Sequence, residues 1–176
     1  MSSVILGSMP ISRVILVNLA KSLMVDLICL KKAFPETIYA LVYSVDDLSK
    51  ALADSKIRII LVEANNSSIL NGADLSLVIN IESMMEMDPP VIQAYFDILR
   101  SSANKTLPFY CCNLEHKIFS GEGTSNFHDY PWDDDDILVE GICPWTKVRY
   151  GNTPPFFAKR EHDLHRLVYL NPTHSQ

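Results

Sequence analysis

Hydrophobic positions along the chain follow two periods in turn. Arg13-Val14-Ile15-Leu16-Val17-Asn18 is a short run rich in β-branched residues, which predicts a buried strand near 14–17. Leu19, Leu23, Leu27, Leu30 and Phe34 then recur every three or four residues, with Met24 and Ile28 beside them. That spacing predicts a helix over Leu19 to Phe34 with one broad apolar face, stopped by Pro35. The alternation continues. Residues 38–43 and 57–63 read as strands, and between them Asp46 and Asp47 are placed to cap a short helix carrying Leu48, Ala51 and Leu52. Asn65-Asn66-Ser67-Ser68 reads as a polar loop, and the Asn71-Gly72 turn signal leads into a fourth strand over Asp74 to Ile81.

Pro89-Pro90 opens a further helix, since proline suits a helix's first turn, and Val91, Ile92, Tyr95, Phe96, Ile98 and Leu99 form its apolar stripe. Leu107 to Cys112 is a fifth strand. Strands separated by helices imply parallel crossovers, and so helices on both faces of a mainly parallel α/β sheet. After Asn113 glycine and proline crowd the chain. This half reads as loop-rich, with a short helix near Asp134 to Glu140 and two late strands near Lys147 to Tyr150 and Leu164 to Leu170. No internal repeat or low-complexity linker divides the 176 residues, so a single domain over 1–176 is expected.

Composition narrows the partners. The apolar share is 48%, enough for a real core, and the net charge of -6 offers no basic stripe to a phosphate backbone. A small-molecule or glycan ligand, or another protein, is expected rather than nucleic acid, and a homo-oligomer stays open. No run of 18 apolar residues is present, so no membrane span is expected. Met1 to Pro10 lacks the basic start of a signal peptide, which points to the cytoplasm. Cys29, Cys111, Cys112 and Cys143 form no C-x-x-C pair, so they read as buried free thiols rather than a zinc site.

The most informative stretch is Ala73-Asp74-Leu75-Ser76-Leu77-Val78-Ile79-Asn80-Ile81-Glu82-Ser83-Met84-Met85-Glu86-Met87. It resembles the fourth strand of class I S-adenosylmethionine-dependent methyltransferases, and its Glu-Ser-Met-Met-Glu-Met end is similar to the sugar O-methyltransferase family. Ala94-Tyr95-Phe96, Phe109-Tyr110, Asn113, Tyr130-Pro131-Trp132, Cys143-Pro144-Trp145, Pro154-Pro155-Phe156 and His165-Arg166-Leu167 extend the resemblance over about residues 73 to 170. It implies a Rossmann-like, doubly wound sheet with a late antiparallel hairpin and a ligand outside the carboxyl ends of the strands. It further implies S-adenosylmethionine as cofactor, at strand ends marked by Asn18, Tyr43, Glu63 and Asn80.

The chain departs from that family at three places. The first strand runs into Val17-Asn18-Leu19-Ala20-Lys21-Ser22, with none of the glycines that let a backbone approach the cofactor. The second strand places Tyr43 where the family has an acidic residue for the ribose hydroxyls, with Asp46 and Asp47 a few residues on. Family members also carry a longer N-terminal region, so part of a lid or substrate wall is expected to be missing. These departures support a second reading, a catalytically inactive methyltransferase-fold module for binding or interaction.

Candidate chemistry follows the strand ends. Glu82 and Glu86 stand four apart, so a helical turn sets both on one side, and Glu86 can orient or deprotonate a sugar hydroxyl. Asn113 closes the fifth strand as Asn80 closes the fourth, and is a substrate-binding candidate. His128 beside Asp129 is a candidate general base, and Trp132 or Trp145 a platform for a sugar ring. His162 and His165 have a metal-like spacing but diverge at a strand start, and the Asp133–Asp136 run lacks a calcium-loop pattern, so no metal is expected.

Overall fold

β3 (Ile57–Glu63) is the middle strand of the first sheet. Its Ile59, Ile60, Leu61 and Val62 are all buried, so both of its faces are covered, as an unbroken β-branched run requires. β1 (Val14–Asn18) and β2 (Ile38–Val42) flank it, both parallel to it, in the order β1-β3-β2. The structure is a computed structural model and describes residues 13–102, 106–118, 123–145 and 162–172. The chain divides into two compact units, Met1–Leu70 and Asn71–Gln176, each with its own sheet. The fold is mixed α/β.

In the first unit, α1 (Ala20–Ala33) lays Leu23 and Leu30 on Ile59 and Leu61, with Leu27 half-buried beside them. The apolar face foreseen from sequence is wider than this contact, because Met24, Val25 and Ile28 are exposed. α2 (Val45–Ala53) buries Leu48 and Ala51 and packs on β2 and β3. Its N-cap is Ser44, not Asp46 or Asp47: the Ser44 hydroxyl accepts from the Asp47 amide at 3.2 Å and donates to the Asp47 carboxylate at 2.8 Å. The Asn65–Ser68 loop is part of a 3-10 turn over Ala64–Leu70.

The second unit holds a four-stranded sheet in the order β4-β5-β9-β8. β4 (Val78–Ile81) is parallel to β5 (Leu107–Leu114), whereas β9 (Asp163–Leu170) runs antiparallel to both β5 and β8 (Asp136–Ile142). β4 is shorter than the 74–81 expected. α3 (Pro89–Ser101) covers one face, where Ile92, Phe96 and Leu99 pack with Phe109, Val168 and Leu170. Phe96, Phe109 and Trp132 meet with ring centroids 5.2–6.0 Å apart. A short ribbon of β6 (His116–Ile118) and antiparallel β7 (Thr124–Asn126) follows β5.

The helix expected near Asp134 to Glu140 is instead strand β8. Arg100, at the end of α3, grips the Asp135 carboxylate at 2.7 and 2.8 Å and also donates to the carbonyls of Pro131 and Asn171. Asp133 beside it has a φ of 43°, which no helix continues through. The apolar residues that follow then pair with β9, so tertiary pairing overrides a local acidic start that resembled a helix N-terminus. The late antiparallel pair is thus β8 with β9, and residues 147–150 lie outside the described residues. Helices cover both faces of no sheet in this unit among the described residues: α3 takes one face, and the other carries Tyr110, Cys112 and His165, with the Tyr110 hydroxyl 3.3 Å from His165 Nδ1.

Two expectations follow. Asp135→Ala removes the bidentate partner of a buried guanidinium but leaves it Asp133 at 3.3 Å, and should cost about 1.5–3 kcal/mol in urea unfolding, the range of a hydrogen bond to a charged group. Burial pushes the hydroxyls of Tyr110 and Tyr130 from 10.0 up to about 12, and the Cys112 thiol from 9.0 up to about 12. The unfolded chain gives up these protons first, so the native state binds more protons in that window. Stability is therefore full below 9.0 and falls as pH rises towards about 12. Urea midpoints measured across the window should decline steadily, and a flat profile would contradict the burial of these groups.

Candidate functional site

The carboxyl ends of β4 and β5 are held by one carboxamide. Beyond β4, Glu82 adopts a φ of 51°, in the left-handed region that a residue with a Cβ resists, and its amide donates to the Cys112 carbonyl at 2.8 Å. This reversal turns the next amides inward. Ser83 N and Met85 N both donate to Asn113 Oδ1 at 3.1 Å, and Asn113 Nδ2 donates to Asn80 Oδ1 at 2.9 Å and to Cys111 Sγ at 3.1 Å. Met84 N completes the set by donating to Asn80 Oδ1 at 3.3 Å. Asn113 is wholly buried, and its two acceptor and two donor positions are all used. The result is a fixed 3-10 turn over Met84–Glu86 at the end of two parallel strands, where open α/β sheets bind ligands.

The β6–β7 ribbon packs against this turn. It brings the Lys117 ammonium 2.9 Å from the Glu86 carboxylate, and sequence separation gave no sign of that pair. After β7 a 3-10 turn (Phe127–Asp129) is capped by the Asn126 side chain, which accepts from His128 N at 3.0 Å. His128 Nε2 faces Glu115 Oε1 at 4.0 Å, so its carboxylate neighbour is Glu115 and not Asp129. His116 Nε2 lies 3.9 Å from the same oxygen. Glu115 escaped sequence reading because it meets His128 only when the ribbon folds back. Trp132 is buried: its indole N–H donates to the Phe127 carbonyl at 2.9 Å, and Arg166 lies 4.5 Å over its ring. Trp145, by contrast, is exposed.

Three of the four residues assigned to the cofactor stand together on the first unit, and Asn80 belongs to the second. Asn18 pairs in register with Glu63 across β1 and β3, and Tyr43 follows the last residue of β2. β1 and β2 are not adjacent. Because β3 lies between them, the carboxylate beside Asn18 on the adjacent strand is that of Glu63. Glu63 accepts from the Asn65 carboxamide at 3.3 Å. Asn18 closes the β1–α1 turn, donating to Asp26 at 2.9 Å and accepting from Leu19 N at 2.9 Å. Leu19, the N-cap of α1, has no side-chain cap bond and is exposed. Among the described residues no cluster of three or more histidine, cysteine or acidic side chains is arranged to hold a metal, and no helix is long and apolar enough to cross a membrane.

Asn113→Ala removes four hydrogen bonds at once and leaves two inward amides unpaired. At about 1–3 kcal/mol for each of the two buried unpaired groups, the variant should lose about 2–6 kcal/mol in equilibrium unfolding. A loss under about 0.5 kcal/mol, the range of an ordinary surface change, would show that water replaces the carboxamide.

No family model matches the chain, and no curated protein is similar to it. Among solved structures it is similar to one described under conversion of a disulfide bond into a thioacetal group during echinomycin biosynthesis, with a TM-score of 0.49 and 11% identity over 99% of this chain and 83% of that one. It is also similar to the PH0226 protein of Pyrococcus horikoshii OT3, with a TM-score of 0.42 and 13% identity over 96% of this chain and 86% of that one. At these values neither likeness assigns an activity.

Proposed function

We propose that residues 1–176 are a methyltransferase-like domain that transfers a methyl group from S-adenosylmethionine to a sugar hydroxyl. The observation that supports this reading is the pair of charged contacts formed by residues that follow β4 and β5, Glu86 with Lys117 and Glu115 with His128. Methyl transfer to a hydroxyl asks a protein for alignment and for a group to take the proton. His128 takes the proton, and Glu115 steadies the imidazolium that results. Glu86, held by the Lys117 ammonium, accepts a hydrogen bond from the acceptor and orients it. Asn113 serves Glu86 through the turn it holds.

The first unit, taken by itself, offers contacts of the kind a nucleoside takes. A carboxylate accepts both ribose hydroxyls, and Glu63 offers one at the end of the strand next to β1. Tyr43 is 60% exposed and offers an aromatic face. When bound, the donor supplies an electrophilic methyl group. The second reading, a non-catalytic binding module, is favoured by the closed β1–α1 turn, in which Asn18 is engaged by Asp26 and Leu19 and glycine is absent.

Calorimetric titration of the full chain with S-adenosylhomocysteine separates the two. The enzyme reading expects low-micromolar binding that Glu63→Gln weakens at least tenfold, and turnover that His128→Ala lowers by about 10²–10⁴ while donor binding holds. The module reading expects the turn's side chains to cost about 2–4 kcal/mol, from the hydrogen-bond and overpacking ranges. That is roughly a thirty- to thousandfold loss, which puts binding near millimolar.

A further inference from the structure

We propose that Asn71 is a site of spontaneous covalent modification, at which the folded chain converts asparagine through a cyclic imide into aspartate and isoaspartate. Asn71 and Gly72 form the turn that opens the second unit, and Asn71 is the one asparagine in the sequence that a glycine follows. The reaction needs the amide nitrogen of the next residue to reach the side-chain carbonyl carbon. A following side chain hinders that approach, and glycine has none.

The fold leaves the reacting groups accessible. Both residues are exposed. Gly72 has a φ of 73°, and nothing lies within 4 Å of where a Cβ would stand on it, so the space beside its amide is open. That amide donates to no group among the described residues, so no hydrogen bond holds the nucleophile back. The Asn71 carboxamide is tied by one contact among the described residues, in which its Oδ1 accepts from Ser101 Oγ at 3.1 Å. The hydroxyl has a single proton, and the Ile98 carbonyl competes for it at 2.7 Å, so this tie is loose. Other asparagines lack the combination. Asn18, Asn80 and Asn113 are engaged by side-chain bonds and followed by branched residues. Asn171 precedes Pro172, whose nitrogen carries no hydrogen.

The chemistry needs water alone. The Gly72 nitrogen bonds to Asn71 Cγ, its proton leaves with Nδ2 as ammonia, and a five-membered imide forms. One water then opens the ring. Attack at Cγ breaks the new C–N bond and leaves aspartate. Attack at the backbone carbonyl breaks the original peptide bond, so the main chain runs on through Cγ as isoaspartate. Either product adds one negative charge to a chain of net charge -6. Isoaspartate also lengthens the main chain by one methylene, just ahead of the segment that leads to β4.

The test holds the full chain at body temperature and mildly alkaline pH for weeks, beside a free peptide of residues 69–75, and maps both by mass spectrometry after digestion. Asn71 should convert at least tenfold faster than any other asparagine of the chain, and within tenfold of the rate in the peptide. The rate should rise with pH, because attack needs the deprotonated amide. Asn71→Gln, which would have to close a six-membered ring, should remove the conversion at this position. The proposal is overturned if Asn71 keeps its amide while the free peptide converts, or if another asparagine converts first. Conversion confined to the rare unfolded chain would run orders of magnitude below the peptide, and that result overturns it as well.

Discussion

The buried carboxamide of Asn113 is the constraint on which the ends of β4 and β5 depend. A parallel pair such as β4 and β5 ends with unpaired amides, and the chain leaving β4 must either run on into solvent or be turned. Glu82 turns it at the cost of a left-handed backbone, of order 1–3 kcal/mol for a residue with a Cβ. Asn113 offsets that cost by accepting from two of the amides exposed by the reversal, and Asn80 accepts from a third. Strain and hydrogen bonds therefore belong to one device. Its product is a rigid turn at which Glu86 projects towards the β6–β7 ribbon and pairs with Lys117.

The same unit is anchored at its far side by Arg100. Its guanidinium joins the end of α3 to the segment before β8 through Asp135, and to the residue after β9 through the Asn171 carbonyl. A buried ion pair of this kind adds little over a well-packed apolar contact, but it is costly to break, so it acts mainly to specify register. That register is what converts an acidic stretch into the lead-in to an edge strand. Phe127, Tyr130 and Trp132 pack with one another nearby, with ring centroids 5.3–5.9 Å apart.

What was legible in the sequence was local. The β-branched runs at Val14, Ile57 and Leu107, and the three-to-four spacing from Leu19 to Phe34, give elements whose bounds match to within one or two residues. What was not legible was pairing between distant segments. Nothing in the spacing of Arg13 to Glu63 says that β3 lies between β1 and β2, because parallel strands of similar apolar content are interchangeable by pattern alone. β8 was hidden by the acidic run before it, whose role depends on Arg100, 35 residues away in sequence from Asp135. The candidate site shows the same division. His128 and Glu86 were visible as residue types, but their partners Glu115 and Lys117 appear only once the ribbon folds back on the turn.

The strand order changes what the missing glycines mean. The sequence departs from the resembled family at two strand ends, in a first-strand turn without glycine and in Tyr43 at the end of the second strand. With β3 beside β1, the strand next to the turn ends instead in a carboxylate, so the two features separate. Among the described residues, the Glu63 carboxylate is engaged by one neutral amide at 3.3 Å. Asn18 is committed more firmly, because its donor meets the charged carboxylate of Asp26 at 2.9 Å, and bonds to charged groups contribute about 1.5–3 kcal/mol. A ligand that needed the turn to open would have to replace that bond, whereas one that needed only the end of β3 would not. The closed turn and the less committed carboxylate at the end of β3 are therefore separate features of the first unit.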